Sequence, residues 1–256
     1  MTPQETHLQS LLEQLRTRLL VMCVTVEEAV ADACAALCEG NAELANAVID
    51  ADSSIDELEN EVDDMALSLM ARSQPVARDL RFVVSALRMV VDLERIGDEA
   101  TAIAERTLLL REAPQLPAPA LTRQMIDTAQ KALHDAIIAF REGDASLALQ
   151  VCRGQDDIVQ LEVHLLQNVM RDLTETTNRT DVTGWATLHA ILIARSLSRI
   201  FGRASNIAEH CYFMKQGVSI KHKKAKMPDH RDGEHQSNPE KGGNLTAAPL
   251  LVPYNT

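Results

Sequence analysis

The chain has 256 residues, of which 46% are hydrophobic and only 3% aromatic. Such an aliphatic composition is typical of helix bundles, whereas β-sheets favour β-branched and aromatic residues. The formal net charge of −12 argues against a nucleic-acid-binding protein, because phosphate contacts require clustered Lys and Arg side chains. These three properties indicate an all-α fold with an acidic surface.

The first half of the sequence predicts three helices, near residues 3–38, 41–73 and 76–111. Asn41 follows Gly40, which is the pattern of a glycine that ends one helix and an asparagine that caps the next. Gln74-Pro75 separates the second helix from the third, and Pro75 suits the first turn of the third helix.

The third predicted helix carries three stripes of side chains. The first is apolar at helical spacing and is expected to face the core: Met89, Leu93, Ile96, Ala100 and Ile103. The second alternates in charge and is expected to be a solvated face with ion pairs between adjacent turns: Asp92, Arg95, Glu99 and Arg106. The third begins as an apolar seam and continues into Glu94 and Asp98.

The second predicted helix has its own pair of carboxylates, Asp52 and Asp56, one turn apart beside an apolar stripe. If the second and third helices are antiparallel, the two pairs lie at similar heights, because each is about two dozen residues from the break at Pro75. Four converging carboxylates predict a site for a hard cation such as Mg, Mn, Ca or Fe. The alternative is an ordinary acidic face, to which the neighbouring acidic residues are assigned: Glu57, Glu59, Glu61, Asp63 and Asp64.

A second copy of the three helices follows a proline-rich linker at residues 113–119. EGNAELANAV at Glu39–Val48 matches EGDASLALQV at Glu142–Val151, and Asp92–Glu105 aligns without a gap to Ser196–Glu209. The helices of this copy are expected near residues 120–142, 145–177 and 182–216. The polar, Gly- and Pro-rich residues 218–256 predict a disordered tail.

The second copy lacks all four carboxylates. The aligned residues are Gln155, Val159, Ser198 and Gly202. Joint loss is expected of residues that serve one ligand, so the second copy is predicted to be degenerate. Asp156 and Asp157 would restore part of a site only if the alignment slipped.

At DLERIGDEA the chain resembles the PhoU family of phosphate-uptake regulators. The resemblance is carried by Asp52-Ser-Ser-Ile-Asp56, by Glu94-Arg-Ile-Gly-Asp98 and by QPVARDLR at Gln74–Arg81, and it covers both copies. It implies two tandem three-helix bundles, with residues 1–112 as the first PhoU-like repeat and residues 120–217 as the degenerate second.

The resemblance also implies a function. Asp52, Asp56, Glu94 and Asp98 would be ligands of divalent or ferric metal ions (Fe, Mn, Mg or Zn) in the first repeat only. The protein would be a homodimeric cytoplasmic regulator that links the ATPase of a phosphate ABC transporter to a sensor histidine kinase and represses the phosphate-starvation response. It would bind no nucleic acid and would reach the membrane only through these partners.

No catalytic constellation is visible in the sequence. There is no Gly-rich phosphate loop, and no Glu-x-x-His, which di-metal carboxylate enzymes of the ferritin type require. The five cysteines are expected to be free thiols in a reducing compartment, and no signal peptide is recognisable, so we expect a cytoplasmic protein. A non-catalytic regulator is therefore favoured. The alternative is a metal-independent helical scaffold whose acidic face binds a partner.

Overall fold

The computed structural model describes residues 3–110, 118–175 and 181–220, with side chains described for 6–110, 118–171 and 184–220. These residues form α-helices without any strand, which confirms the predicted all-α class. Seven helices lie within the described ranges: α1 (Pro3–Glu39), α2 (Ala42–Ser73), α3 (Ala77–Leu109), α4 (Pro119–Glu142), α5 (Ala145–Arg153), α6 (Gln155–Glu175) and α7 (Asp181–Gln216). The predicted linker and tail lie outside the described residues except for residues 118–119 and 218–220.

The two repeated glycine-to-cap junctions form as predicted. Gly40 and Gly143 adopt left-handed conformations, with φ of 65° and 66°, which end α1 and α4. The Asn41 side chain accepts a hydrogen bond from the Leu44 amide at 3.1 Å, and Asp144 caps α5 in the same way. Pro75, by contrast, lies outside the third helix, because α3 begins at Ala77 with Val76 at the N-cap position.

The prediction of one helix over residues 145–177 is wrong, because Gly154 separates α5 from α6. The Gly154 amide donates to the carbonyl oxygen of Val151, three residues back, at 3.2 Å. The ring of Phe201 on α7 packs against this turn, where a β-carbon on Gly154 would lie 3.3 Å from the Phe201 Cζ atom. An aromatic side chain on the facing helix therefore accompanies the break.

The buried aliphatic side chains form one continuous core, and the described helices belong to one compact unit. Within each copy the first and third helices pack together, as α1 on α3 and α4 on α7, and α3 packs against α7 between the copies. The predicted core stripe of α3 is confirmed, since all five of its side chains are fully buried. Among the described residues, no helix combines the length and apolar content needed to cross a bilayer.

The prediction that Asp92 and Glu99 lie on a solvated face is wrong, because both face α7. Asp92 is only 6% exposed, and its Oδ1 atom accepts hydrogen bonds from Arg203 at 3.2 Å and from Asn206 at 3.1 Å. Its Oδ2 atom lies 3.6 Å from Nε2 of His210. Glu99 pairs with Arg199 at 2.9 Å. The sequence alone does not show whether the charged residues of a helix pair with each other or with residues of another helix.

Asp92 is a buried carboxylate whose ionised form is held by its partners. Burial raises its pKa, but the hydrogen bonds from His210, Asn206 and Arg203 outweigh burial and leave the pKa below its ordinary value. In the unfolded chain the pKa of an aspartate is about 3.9. Because the pKa of Asp92 is lower in the folded state, its ionised form stabilises the fold at pH values above about 3.9. This contribution is lost as the pH falls through the folded-state pKa.

We expect Asp92→Asn to lower the free energy of unfolding at pH 7 by about 1–3 kcal/mol, because it replaces a charged acceptor among buried donors. Asp127→Asn, which removes only an exposed pair with Arg123, should cost less than about 1 kcal/mol. Denaturant unfolding measures both changes. The cost of Asp92→Asn should shrink as the pH falls below about 4, and a cost that does not depend on pH would contradict this account.

Candidate metal centre

Helices α2 and α3 approach each other closely at Gly97. A β-carbon on Gly97 would lie 2.8 Å from Cδ1 of the buried Ile55 on α2, a separation too short for packed carbon atoms. Glycine in the middle of a helix normally costs about 1 kcal/mol relative to alanine, so its presence here reflects the space that the facing helix occupies. Glu94 and Asp98 flank this contact on α3, and Asp52 and Asp56 flank Ile55 on α2.

Carboxylates from both helices converge beside this contact. One oxygen from each of Asp56, Glu59 and Glu94 lies within 4.8 Å of the others. Asp56 is exposed, whereas Glu59 and Glu94 are half-buried. Two of the four predicted ligands therefore meet directly, and they meet together with a residue that the sequence did not single out.

The other two predicted ligands extend the same face. Asp98 lies one turn after Glu94 on α3, close enough for its charge to raise the pKa of Glu94. Asp52, half-buried on α2, accepts a hydrogen bond from the Thr101 hydroxyl of α3 at 3.0 Å. We call these five carboxylates, Asp52, Asp56, Glu59, Glu94 and Asp98, the acidic cluster.

The electrostatics of the acidic cluster show carboxylates crowded without a compensating cation. Burial, together with the charges of Asp98 and Glu59, raises the pKa of Glu94 to about 7. Burial and the charges of Asp52 and Asp56 raise the pKa of Asp98, and burial followed by the charges of Asp63 and Asp56 raises that of Glu59. Arg95 lowers the pKa of Glu94, but among the described residues no Lys or Arg forms an ion pair with the cluster.

This donor set fits a hard metal ion. Two oxygens bound to one ion at about 2.0–2.6 Å are separated by no more than roughly 5 Å, so the oxygens of Asp56, Glu59 and Glu94 are close enough to share an ion. All ligands are carboxylates, which suits Mg, Mn, Ca or Fe and provides none of the thiolates of a structural zinc site. A cation would also reduce the repulsion that raises the pKa of Glu94.

Glu59 is the residue that the sequence-based analysis missed, since it was assigned to a mostly solvated face. A signal was nevertheless present, because Asp52, Asp56 and Glu59 follow the i, i+4, i+7 spacing of one helix face. The presence of Glu57, Glu61, Asp63 and Asp64 on the same helix concealed this spacing. Only the position of α3 distinguishes Glu59 from its acidic neighbours.

In the second repeat, the corresponding face of α6 and α7 has lost this chemistry. Val159, aligned with Asp56, is exposed, and the hydroxyl of Ser198, aligned with Glu94, is buried without a hydrogen-bond partner. Phe201 stands where the first repeat has Gly97, and its ring packs on Gly154. Among the described residues, only one group of three or more acidic, His or Cys side chains is close enough to share a metal ion: Asp56, Glu59 and Glu94.

The PhoU domain model matches residues 19–107 and 122–211, which are the two repeats. The chain belongs to the PhoU family. The phosphate-specific transport system accessory protein PhoU homologue of Pseudomonas putida is 36% identical over 212 residues, which are 82% of this chain and 81% of that protein. A Thermotoga maritima homologue with the same description is 31% identical and covers 84% of this chain and 91% of that protein.

Solved PhoU structures share the fold. The crystal structure of PhoU from Pseudomonas aeruginosa has a TM-score of 0.78 and 34% identity, and the match covers 82% of this chain and 99% of that one. The phosphate transport system regulatory protein PhoU from Streptococcus pneumoniae gives a TM-score of 0.76 at 26% identity. The expected family is therefore confirmed. The metal ligands expected from it remain a prediction.

The importance of the α2–α3 approach can be tested with two glycines of this PhoU-family chain. A β-carbon on Gly202, which the alignment pairs with Asp98, would have no heavy atom within 4 Å. We expect Gly202→Ala to raise the free energy of unfolding by about 0.5–1 kcal/mol, because alanine favours the helix. Gly97→Ala should lower the free energy of unfolding, because overpacking against Ile55 costs about 1–3 kcal/mol, which exceeds the stabilisation that alanine gives the helix. Equal stabilisation of both variants in thermal unfolding would show that α2 does not restrict Gly97.

Proposed function

We propose that this protein is a non-catalytic regulator of phosphate uptake and phosphate signalling whose first repeat binds metal ions. In this proposal it links the ATPase of a phosphate ABC transporter to a sensor histidine kinase and restrains the phosphate-starvation response when phosphate is plentiful. It acts in the cytoplasm and as a homodimer. The observation that carries the metal-binding role is the acidic cluster, in which Asp56, Glu59 and Glu94 place oxygens within 4.8 Å of one another.

The regulatory role is supported by the relatives. Those most similar in sequence are named phosphate-specific transport system accessory proteins, and they match more than four-fifths of this chain. The PhoU domain model matches both repeats, so the proposed role concerns both repeats and not one of them alone. The specific partners, the direction of regulation and the dimer are extrapolations from the family resemblance.

Each member of the acidic cluster has a defined part in the proposed site. Asp56, Glu59 and Glu94 would bind the ion directly, since their oxygens already converge. Asp98, one turn from Glu94, would add negative charge to the site, and the Thr101 hydroxyl orients Asp52 by donating a hydrogen bond to it. A bound divalent or ferric cation (Fe, Mn, Mg or Zn) supplies positive charge that neutralises the crowded carboxylates. The degenerate second repeat offers no comparable donor set among its described residues.

The proposal predicts that metal binding and regulation fail together in Asp56→Asn/Glu94→Gln, which keeps side-chain shape but removes two ligand charges. We expect the purified wild type to gain thermal stability on addition of Mn²⁺ and the variant to gain none, because an ion that binds only the folded state stabilises it. In a strain without its own PhoU, the wild type should restore repression of a phosphate-starvation reporter in high phosphate. The variant should not.

The matched control is Asp156→Asn/Asp157→Asn, which removes the same charge from exposed positions on α6. It should bind Mn²⁺ and repress the reporter like the wild type. Repression by the wild type with no metal binding would favour the metal-independent scaffold. Failure of the wild type to repress would contradict the regulatory proposal.

A further inference from the structure

The turn between α2 and α3 presents apolar side chains to solvent beside unpaired arginines. Val76 is 72% exposed at the N-cap of α3, and Leu80, one turn later, is 42% exposed. Val218, just after α7, is 47% exposed. It belongs to the same surface, because a β-carbon on the adjacent Gly217 would lie 3.7 Å from the Arg81 guanidinium carbon. Three exposed apolar side chains therefore lie at the same end of the helices as exposed arginines.

The same turn is locally cationic in an acidic chain. Residues 72–81 contain three cationic side chains, Arg72, Arg78 and Arg81, and one carboxylate, Asp79, whereas the whole chain has a formal net charge of −12. Neither Arg72 nor Arg78 forms a hydrogen bond or ion pair with a described residue. We call this surface, from Arg72 to Arg81 together with Val218, the basic end.

The backbone holds the apolar tip outward. Gln74 and Ala77, which enclose Pro75 and Val76, have φ of 42° and 47°, a left-handed conformation that side chains other than glycine rarely adopt. Pro75 is buried and anchors the turn, while Val76 points away from it into solvent. The conformation of this turn therefore holds the Val76 side chain in an exposed position.

We propose that the basic end docks directly on the surface of an anionic lipid bilayer. Arginines attract acidic headgroups, and short apolar side chains between them enter the boundary between headgroups and acyl chains. The apolar side chains protrude singly between cations and form no groove, which fits a fluid interface better than the packed pocket of a protein partner. No described helix can span a membrane, so the contact is peripheral.

This inference goes beyond the proposed function, in which the protein reaches the membrane only through its partners. Direct docking would place the basic end on the bilayer that contains a transport system, with α2 and α3 extending away from the membrane. The test uses lipid vesicles without any transporter, so its failure would leave the proposed function untouched.

The experiment is co-sedimentation of the full chain with vesicles of phosphatidylcholine, with and without phosphatidylglycerol. We expect binding only to the anionic vesicles, and weaker binding at higher salt. Val76→Asp should reduce that binding at least about tenfold, because it replaces the apolar tip by a charge that the headgroups repel. Aspartate is a favourable N-cap residue, and Val76 makes no side-chain cap bond, so this variant should fold at least as stably as the wild type.

Arg72→Glu/Arg78→Glu provides an independent test, since both side chains are exposed, and we expect a similar loss of binding. Val159→Asp and Arg153→Glu/Arg195→Glu introduce the same changes at exposed positions of α5, α6 and α7 and should bind like the wild type. Absence of wild-type binding to anionic vesicles would overturn the proposal. So would unchanged binding by both test variants, which would assign the effect to the basic sequence KHKKAK that follows Ile220.

Discussion

The contact between Gly97 and Ile55 determines how close α2 and α3 can come, and the acidic cluster depends on that distance. Without a β-carbon on α3, the two backbones approach until carboxylates from both helices share one small volume. Burial of Glu94, together with the charges of Asp98 and Glu59, raises its pKa to about 7. Packing of the apolar side chains therefore holds the carboxylates close together, and a bound cation would reduce the repulsion between them.

Helix α3 carries acidic side chains on two of its faces, one towards α2 and one towards α7. On the side of α2, burial and the charges of neighbouring carboxylates raise the pKa values of Glu94 and Asp98. Asp92 points towards α7, where Arg203, Asn206 and His210 compensate its charge and its pKa falls. Both helix faces carry carboxylates, so the residue type does not decide their role. An acidic side chain stabilises the fold where the neighbouring helix supplies cationic or hydrogen-bonding partners, and it is available to bind a cation where the neighbouring helix supplies none.

The sequence contained enough information for the fold class, most helix ends and the family. Helical periodicity, the repeated glycine-to-cap junctions and the repeat itself are local signals, and the structure and the comparisons agree with them. What the sequence concealed depends on contacts between helices. Gly154 lies in a helical pattern, and the sequence does not show that the ring of Phe201 packs against it at the break between α5 and α6. Asp92 and Glu59 were assigned to solvated faces because no local pattern shows which helix lies opposite them.

The two repeats differ in the residues that meet between their second and third helices. In the first repeat Gly97 on α3 faces Ile55, whereas in the second the aligned position holds Phe201, whose ring packs on Gly154, one turn before Ile158, which aligns with Ile55. The helices of the second repeat are thus held together by an aromatic ring at the place where the first repeat brings carboxylates together. Loss of the four carboxylates and gain of Phe201 are consistent with a repeat that keeps the fold without the ligand.

The central claim is that the first repeat alone binds a metal ion through the acidic cluster. The most direct measurement is the anomalous scattering of crystals grown with Mn²⁺. The account predicts an anomalous peak between α2 and α3, within about 2.0–2.6 Å of carboxylate oxygens of Asp56, Glu59 and Glu94, and no peak between α6 and α7. Full Mn²⁺ occupancy elsewhere, or no peak at the acidic cluster at saturating Mn²⁺, would contradict it.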